Sequence, residues 1–263
     1  MRRVLHLSDL HFGRDRPELL DPLVESVNAL APDLVVVSGD FTQRARRSQF
    51  AAARAFLDRL QPPTLSVPGN HDTPLDNLAI RLSRPWRRYR RYIDPELEPS
   101  WEDDEIAVAG VNTANPLSWQ RGKIGSRAVL KICQVFGSTG RRLHIVALHH
   151  PLEHLPEVEK RLMSGANRVL ASFGRCGADI VLSGHLHTWR VEPFTSAGGV
   201  LLVQAGTGLS TRHRGEPNDF NLLTIEGRRL TVQRHAARAD ASGFDPLSAH
   251  RFEKRGVEWH RLD

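Results

Sequence analysis

Seven side chains with oxygen or imidazole donors, Asp9, His11, Asp40, Asn70, His149, His185 and His187, lie in five short polar motifs: Asp9-Leu10-His11, Gly39-Asp40, Gly69-Asn70-His71-Asp72, His149-His150 and Gly184-His185-Leu186-His187. Brought to one place, they would hold two metal cations. A carboxylate can sit between two ions about 3.5–4 Å apart. Neutral imidazole suits Zn, Fe, Mn or Ni better than Mg or Ca. His185 and His187 would point to opposite sides of a regular strand. The preceding Ser183-Gly184 puts them on a turn, from which each can reach a different ion. Each motif alone is weak, because Asp and Asn are ordinary turn residues and a buried His is often satisfied by backbone groups. Five in succession at strand ends do not behave as independent accidents.

The elements that must position them can be read from hydrophobic periodicity. Residues 3–7 and 34–38 are short apolar runs that end in polar residues, as buried parallel strands do. Between them Leu19, Leu20, Leu23, Val24, Val27 and Leu30 form a helical stripe, and Phe50, Ala53, Phe56, Leu57 and Leu60 form another. With a strand at Thr64–Val67, this β-α-β-α-β start implies a parallel sheet that delivers its strand ends to one edge, where ligands bind. Further on, 74–93 reads as short helices, 106–111 as a strand, 126–136 as a helix and 143–148 as a strand. A helix around 160–173 and a strand at 179–182 follow, then strands at 189–194, 200–204, 220–226 and 229–235, the last two as an antiparallel hairpin. The polar stretch from Ala236 to Asp263 shows no pattern, which divides the chain into a domain at 1–235 and an unassigned tail at 236–263.

A chain of 263 residues, 40% hydrophobic and 25% charged, has the composition of a globular α/β domain with a sizeable core. Cys133 and Cys176 lack metal-type spacing and are expected as buried or idle thiols in a reducing cytosol. The N-terminal apolar run is too short for a secretory signal, and no run approaches a membrane span, so a cytoplasmic location is expected. The formal charge of +6 is local: six arginines and no acids lie between Arg81 and Arg91, and the remainder sums to zero. That distribution argues against a nucleic-acid-binding coat. The Arg81–Ile93 segment, with Trp86, Tyr89 and Ile93 on one helical face, reads as a packed helix with solvated arginines, as a cap steering phosphates, or as a membrane-surface or nucleic-acid contact. Arg212 and His213 in the Gly206–Arg214 loop, and Arg44 after Asp40, are candidates for substrate contact.

The complete motif set, matched in order over residues 3–187, resembles the signature of the calcineurin-like metallophosphoesterases. The resemblance implies an α/β fold, a four-layer α/β/β/α sandwich with two mixed central sheets. It implies that Asp9, His11, Asp40 and His187 hold one metal, and Asp40, Asn70, His149 and His185 the second, the ions being Mn, Fe or Zn. His149 is preferred to His150 because the family's ligand is the first residue after the strand. His71 would approach the scissile phosphate, with Asp72 orienting it, and a hydroxide bridging the metals would attack in line. The Ser-Asp-Leu-His-Phe, Val-Pro-Gly-Asn-His-Asp and Leu-His-His-Pro blocks are similar to bacterial members related to class III cyclic-nucleotide phosphodiesterases. Hydrolysis of a small phosphodiester, such as a cyclic nucleotide, is therefore expected. The alternatives are a sugar-nucleotide lipid pyrophosphatase, such as a UDP-diacylglucosamine hydrolase, and a non-catalytic binding module. Oligomeric state leaves no sequence signal.

Overall fold

Strand β1 (Arg2–Leu7) shows how the layers arise. Leu5 and Leu7 face one hydrophobic cluster while Val4, one position before Leu5 and so on the opposite face, belongs to another. Burial on both faces is why the strand reads as an almost unbroken apolar run. The computed structural model describes residues 1–75, 77–138, 140, 142–154 and 161–263. After a 3-10 turn at Pro17–Leu19, α1 (Leu20–Leu30) crosses to β2 (Leu34–Ser38), and α2 (Arg47–Leu57) crosses to β3 (Thr64–Val67). The three strands pair in parallel, Leu5 opposite Val35 and Val36 opposite Leu65. Leu23 and Val27 of α1 and Phe50 and Phe56 of α2 pack on Leu5 and Val35, forming the first outer layer.

Short helices α3 (Leu78–Ser83) and α4 (Arg87–Tyr92) lead to β4 (Ser100–Glu102) and β5 (Ile106–Val111). Then come α5 (Ser126–Ser138), β6 (Leu143–Leu148), α6 (Ala166–Arg175) and β7 (Ile180–Ser183). The helix expected around 160–173 is α6, and residue 160 lies outside the described residues. Strands β8 (Arg190–Phe194), β9 (Ala197–Gln204), β10 (Asp219–Glu226) and β11 (Arg229–Ala237) follow, β10 and β11 forming the expected antiparallel hairpin. The stretch left unassigned on sequence forms β12 (Phe244–Arg255) and β13 (Glu258–Arg261).

The strands make a seven-stranded sheet, β13-β12-β11-β10-β1-β2-β3, and a six-stranded sheet, β4-β5-β6-β7-β9-β8, both mixed. Val36, Val67, Val108, Ile145, Leu182 and Val203 fill the space between them. Phe252 and Trp259 belong to that same core, so the C-terminal strands complete the sandwich. Ile132 and Phe136 of α5 and Leu170 and Phe173 of α6 cover the far side of the second sheet. The result is the expected four-layer α/β/β/α sandwich.

Two expectations are corrected. Cys133 of α5 and Cys176, just after α6, are joined in a disulfide with Cα atoms 4.8 Å apart, so they are not idle thiols. The spacing of 43 residues concealed a pair that two neighbouring helices bring together. Arg81 is not solvated: it is 2% exposed and donates to the carbonyls of Pro116, Ser118 and Pro74 and to Thr73 Oγ1. Among the described residues no helix is long and apolar enough to cross a membrane.

Candidate metal centre

The loops leaving β1, β2, β3, β6 and β7 converge at one edge of the two sheets. Their backbone is forced. Of the eight non-glycine residues with positive φ among the described residues, five are candidate ligands: Asp9 (53°), His11 (51°), Asp40 (53°), His185 (71°) and His187 (60°). A left-handed conformation costs of order 1–3 kcal/mol at such residues, so its concentration here reflects a geometry imposed by the surrounding fold. Close approach demands glycine at two points. A Cβ on Gly69 would overlap Asp40 Oδ1, and one on Gly184 would overlap Ser8 Oγ and Asp9 Oδ2.

The structure brings all seven expected ligands together. Asp9 uses Oδ2 to accept from Ser8 Oγ (2.7 Å) and from the His185 amide (2.9 Å). Its Oδ1 lies 3.1 Å from His187 Nε2 and 3.4 Å from His11 Nε2 and, though buried, accepts no hydrogen bond. Asp40 accepts the His71 amide at Oδ1 (2.8 Å) and turns Oδ2 toward His11 Nε2 (3.7 Å) and His149 Nε2 (3.3 Å). It is therefore shared by two groups of donors. Asn70 donates through Nδ2 to the Trp119 carbonyl (3.2 Å), which leaves Oδ1 facing inward, 3.2 Å from His149 Nε2. His185 presents Nδ1 3.3 Å from His149 Nε2.

Backbone carbonyls set the tautomers. His149 Nδ1 donates to the Ser38 carbonyl (2.8 Å) and His187 Nδ1 to the Arg212 carbonyl (2.6 Å), so each neutral ring points an Nε2 lone pair into the centre. Lone pair thus faces lone pair at 3.1 Å between His187 and Asp9 and at 3.3 Å between His149 and Asp40. Ligands about 2.1 Å from a cation lie roughly 3 Å from one another, so the spacing fits coordination. The donor chemistry fits two cations that share Asp40.

Electrostatics agree. Burial disfavours charge on Asp9 and Asp40, yet the surrounding histidines hold both carboxyls well below the usual range. Burial likewise opposes charge on His149, but Asp40 overcomes it and raises that imidazole to about 9. The field that would hold a proton on His149 is the field that attracts a cation. His150 lies beside this group, its Nδ1 2.8 Å from Thr113 Oγ1 and its ring 4.5 Å from that of His185. Unlike His149, it makes no contact with Asp40 among the described interactions.

His71 stands at the rim, its ring edge-on to His11 at 4.9 Å. Burial pushes its pKa down to about 4. Its Nδ1 donates to the Gln43 carbonyl (2.8 Å), and its Nε2 accepts from Arg212 Nη1 (3.1 Å). The orienting group is therefore Gln43, not Asp72. The Asp72 carboxylate instead accepts from the amides of Gly69 (3.0 Å), Phe41 (3.2 Å) and Thr42 (2.9 Å), tying the second and third metal loops together. Arg44 and His213 are exposed and contact none of the cluster side chains among the described interactions. Ser38, Gln43 and Trp119 were missed on sequence because each acts through its main-chain carbonyl, which any residue type supplies.

Two mixed sheets that carry a carboxylate-shared Asp/Asn/His centre define a metallophosphoesterase. The chain belongs to the calcineurin-like phosphoesterase family, whose profile matches residues 2–189, and it is a phosphoester hydrolase. It is 37% identical over 212 residues to a glycerophosphodiester phosphodiesterase of Enterobacter lignolyticus, covering 73% of each chain. A shorter match, 34% over 73 residues, covers 27% of this chain and 22% of a UDP-2,3-diacylglucosamine pyrophosphatase of Chlamydia muridarum. Among solved structures, PhoD superposes with a TM-score of 0.74 at 8% identity, over 100% of this chain and 71% of that one. A purple acid phosphatase from yellow lupin superposes with a TM-score of 0.71 at 14% identity over 97% of this chain. This chain spans about half (54%) of that phosphatase, and both superpositions bear on the fold alone.

Proposed function

We propose that this chain is a two-metal phosphodiesterase acting on a small diester of glycerophosphodiester or cyclic-nucleotide type. One observation carries the reading: Asp40 Oδ2 faces His11 Nε2 and His149 Nε2 at once, which is what a carboxylate shared by two cations requires. Asp9, His11, Asp40 and His187 would hold one ion, and Asp40, Asn70, His149 and His185 the other. The mixed imidazole and carboxylate set suits Mn, Fe or Zn. When bound, such ions activate water at neutral pH and neutralise charge on phosphoryl oxygens.

The chain's own residues supply the rest. Arg212, exposed at the mouth, offers its guanidinium to a phosphoryl oxygen, and His71 and the Gln43 carbonyl behind it hold that guanidinium in place. His71, its proton committed through Nδ1 to Gln43, acts as the acceptor that aims the Arg212 guanidinium at charge developing on the phosphoryl group. The diester reading is supported by the match over 212 residues to a glycerophosphodiester phosphodiesterase. The convergence of the full ligand set argues against a non-catalytic binding module.

The test is turnover of bis-p-nitrophenyl phosphate by Mn²⁺-reconstituted protein, with the monoester in parallel. Diester hydrolysis that EDTA abolishes, and that Asn70→Ala or His149→Ala also abolishes, is the expected result. Undiminished turnover in either variant would refute the ligand assignment, and a preference for the monoester would refute the substrate class.

A further inference from the structure

The six arginines between Arg81 and Arg91 equal the whole charge excess of the chain. Arg81 is consumed internally, since its hydrogen bonds bind α3 to the 116–119 loop. The others are not. Arg84, Arg87, Arg88 and Arg91 join Arg47 and Tyr92 around a hollow of about 200 Å³ between α3 and α4. Among the described residues, none of these five arginines has a carboxylate within ion-pair distance. Arg47 Nε donates to Tyr92 Oη (3.0 Å) and Arg88 Nη1 to the Ala45 carbonyl (2.7 Å), and both acceptors are uncharged. Like charges around a hollow repel, and an anion relieves the repulsion.

A second observation is apolar. Leu78 (64% exposed), Leu82 (54%), Leu117 (82%) and Trp119 (61%) stand on α3 and on the loop that Arg81 ties to it. They are four of the nine large apolar side chains exposed among the described residues, so the exposure is concentrated at this place. Leu78 and Leu82, one helical turn apart, share a side of α3, while Ile80, Ser83 and Arg84 face the hollow. The Trp119 ring lies over the Arg81 guanidinium at 5.3 Å. Arginines without a carboxylate partner on one side of α3, with exposed Leu and Trp on the other, give the two-faced composition of a segment that lies in the headgroup region of an anionic bilayer.

We propose that α3, α4 and the 116–119 loop dock this chain on an acidic phospholipid surface, with lipid phosphate groups in the arginine hollow and Leu78, Leu82, Leu117 and Trp119 at the acyl-chain margin. The docked face borders the metal centre, because the Trp119 carbonyl accepts from Asn70. Binding is read without turnover, so its failure and that of the phosphodiesterase reading are separable.

The experiment is co-sedimentation of the intact chain with vesicles of phosphatidylcholine alone and of phosphatidylcholine mixed with phosphatidylglycerol. Binding to the mixed vesicles only, weakened by salt, is expected. Arg84→Ser/Arg87→Ser/Arg91→Ser should weaken it roughly 100-fold, and Leu78→Ser/Leu82→Ser should weaken it as well. Both variants should hydrolyse the water-soluble diester as the parent does, which shows that they are folded. Absence of binding to acidic vesicles at low salt, equal binding to neutral ones, or unchanged binding by the triple variant would overturn the proposal. Calorimetric binding of inorganic pyrophosphate that the triple variant loses, without vesicle binding, would also overturn it and assign the hollow to a soluble polyanion.

Discussion

Arg212 Nη1 lies 3.1 Å from His71 Nε2, joining two residues 141 positions apart in sequence. The same arginine fixes a metal-site tautomer through its carbonyl, which accepts from His187 Nδ1. The C-terminal loop and the third metal motif therefore meet over the centre. Arg212→Ala should lower kcat/KM for the diester by about 10²-fold, the usual effect of removing one donor to developing charge. Arg212→Lys should recover part of the loss. Since the two side chains touch, Arg212→Ala/His71→Ala should lose far less than the product of the single losses. Multiplicative single effects would argue that they act separately.

Gly184 offers a test of the packing around Asp9. A side chain there would displace Ser8 and the Asp9 carboxylate, and with them the amide bond that Asp9 accepts from His185. Gly184→Ala should keep the fold by circular dichroism while losing at least one bound metal. Full metal content in this variant would show that the loop has room to spare.

The disulfide is expected in the isolated protein. Thiol titration under denaturing, non-reducing conditions should find no free thiol, because the chain's only two cysteines are paired. Reduction should lower stability by about 4 kcal/mol for a loop of this length. Two titratable thiols would remove the bond and restore the reducing-cytosol expectation.

His6 sets a pH dependence. Wholly buried, with Nε2 2.8 Å from Ser38 Oγ, it has its pKa lowered by burial from 6.5 to about 3. Between those values the unfolded chain binds a proton that the folded chain refuses. Its contribution to stability is therefore complete above pH 6.5 and is lost as the pH falls. Urea unfolding at pH 7.5 and 5.5 should show about 1.4 kcal/mol of acid destabilisation from this group, absent in His6→Asn. The same pH slope in both proteins would contradict the assignment.

The metal motifs were legible because each pairs a short apolar strand with donors of unusual type, and the sheet edge does the rest. Strand β12 was not. It lies near a sheet edge, where Phe244 and Phe252 are its buried residues, so its polar face hid its period. The arginine run showed its helices, with Tyr89 and Ile93 buried as the apolar spacing suggests, but the burial of Arg81 depends on carbonyls of a distant loop. The contacts of Asp72 were hidden for a similar reason: besides Gly69 they are amides of Phe41 and Thr42 in a distant loop, and sequence shows only the His71 beside it.

The most direct test of a centre shared through Asp40 is its metal stoichiometry. Protein reconstituted with Mn²⁺ and freed of excess metal should carry two ions per chain by elemental analysis. His149→Ala should carry one, and Asp40→Ala fewer than one. A parent chain with a single ion, or a His149→Ala variant that keeps two, would contradict the shared centre.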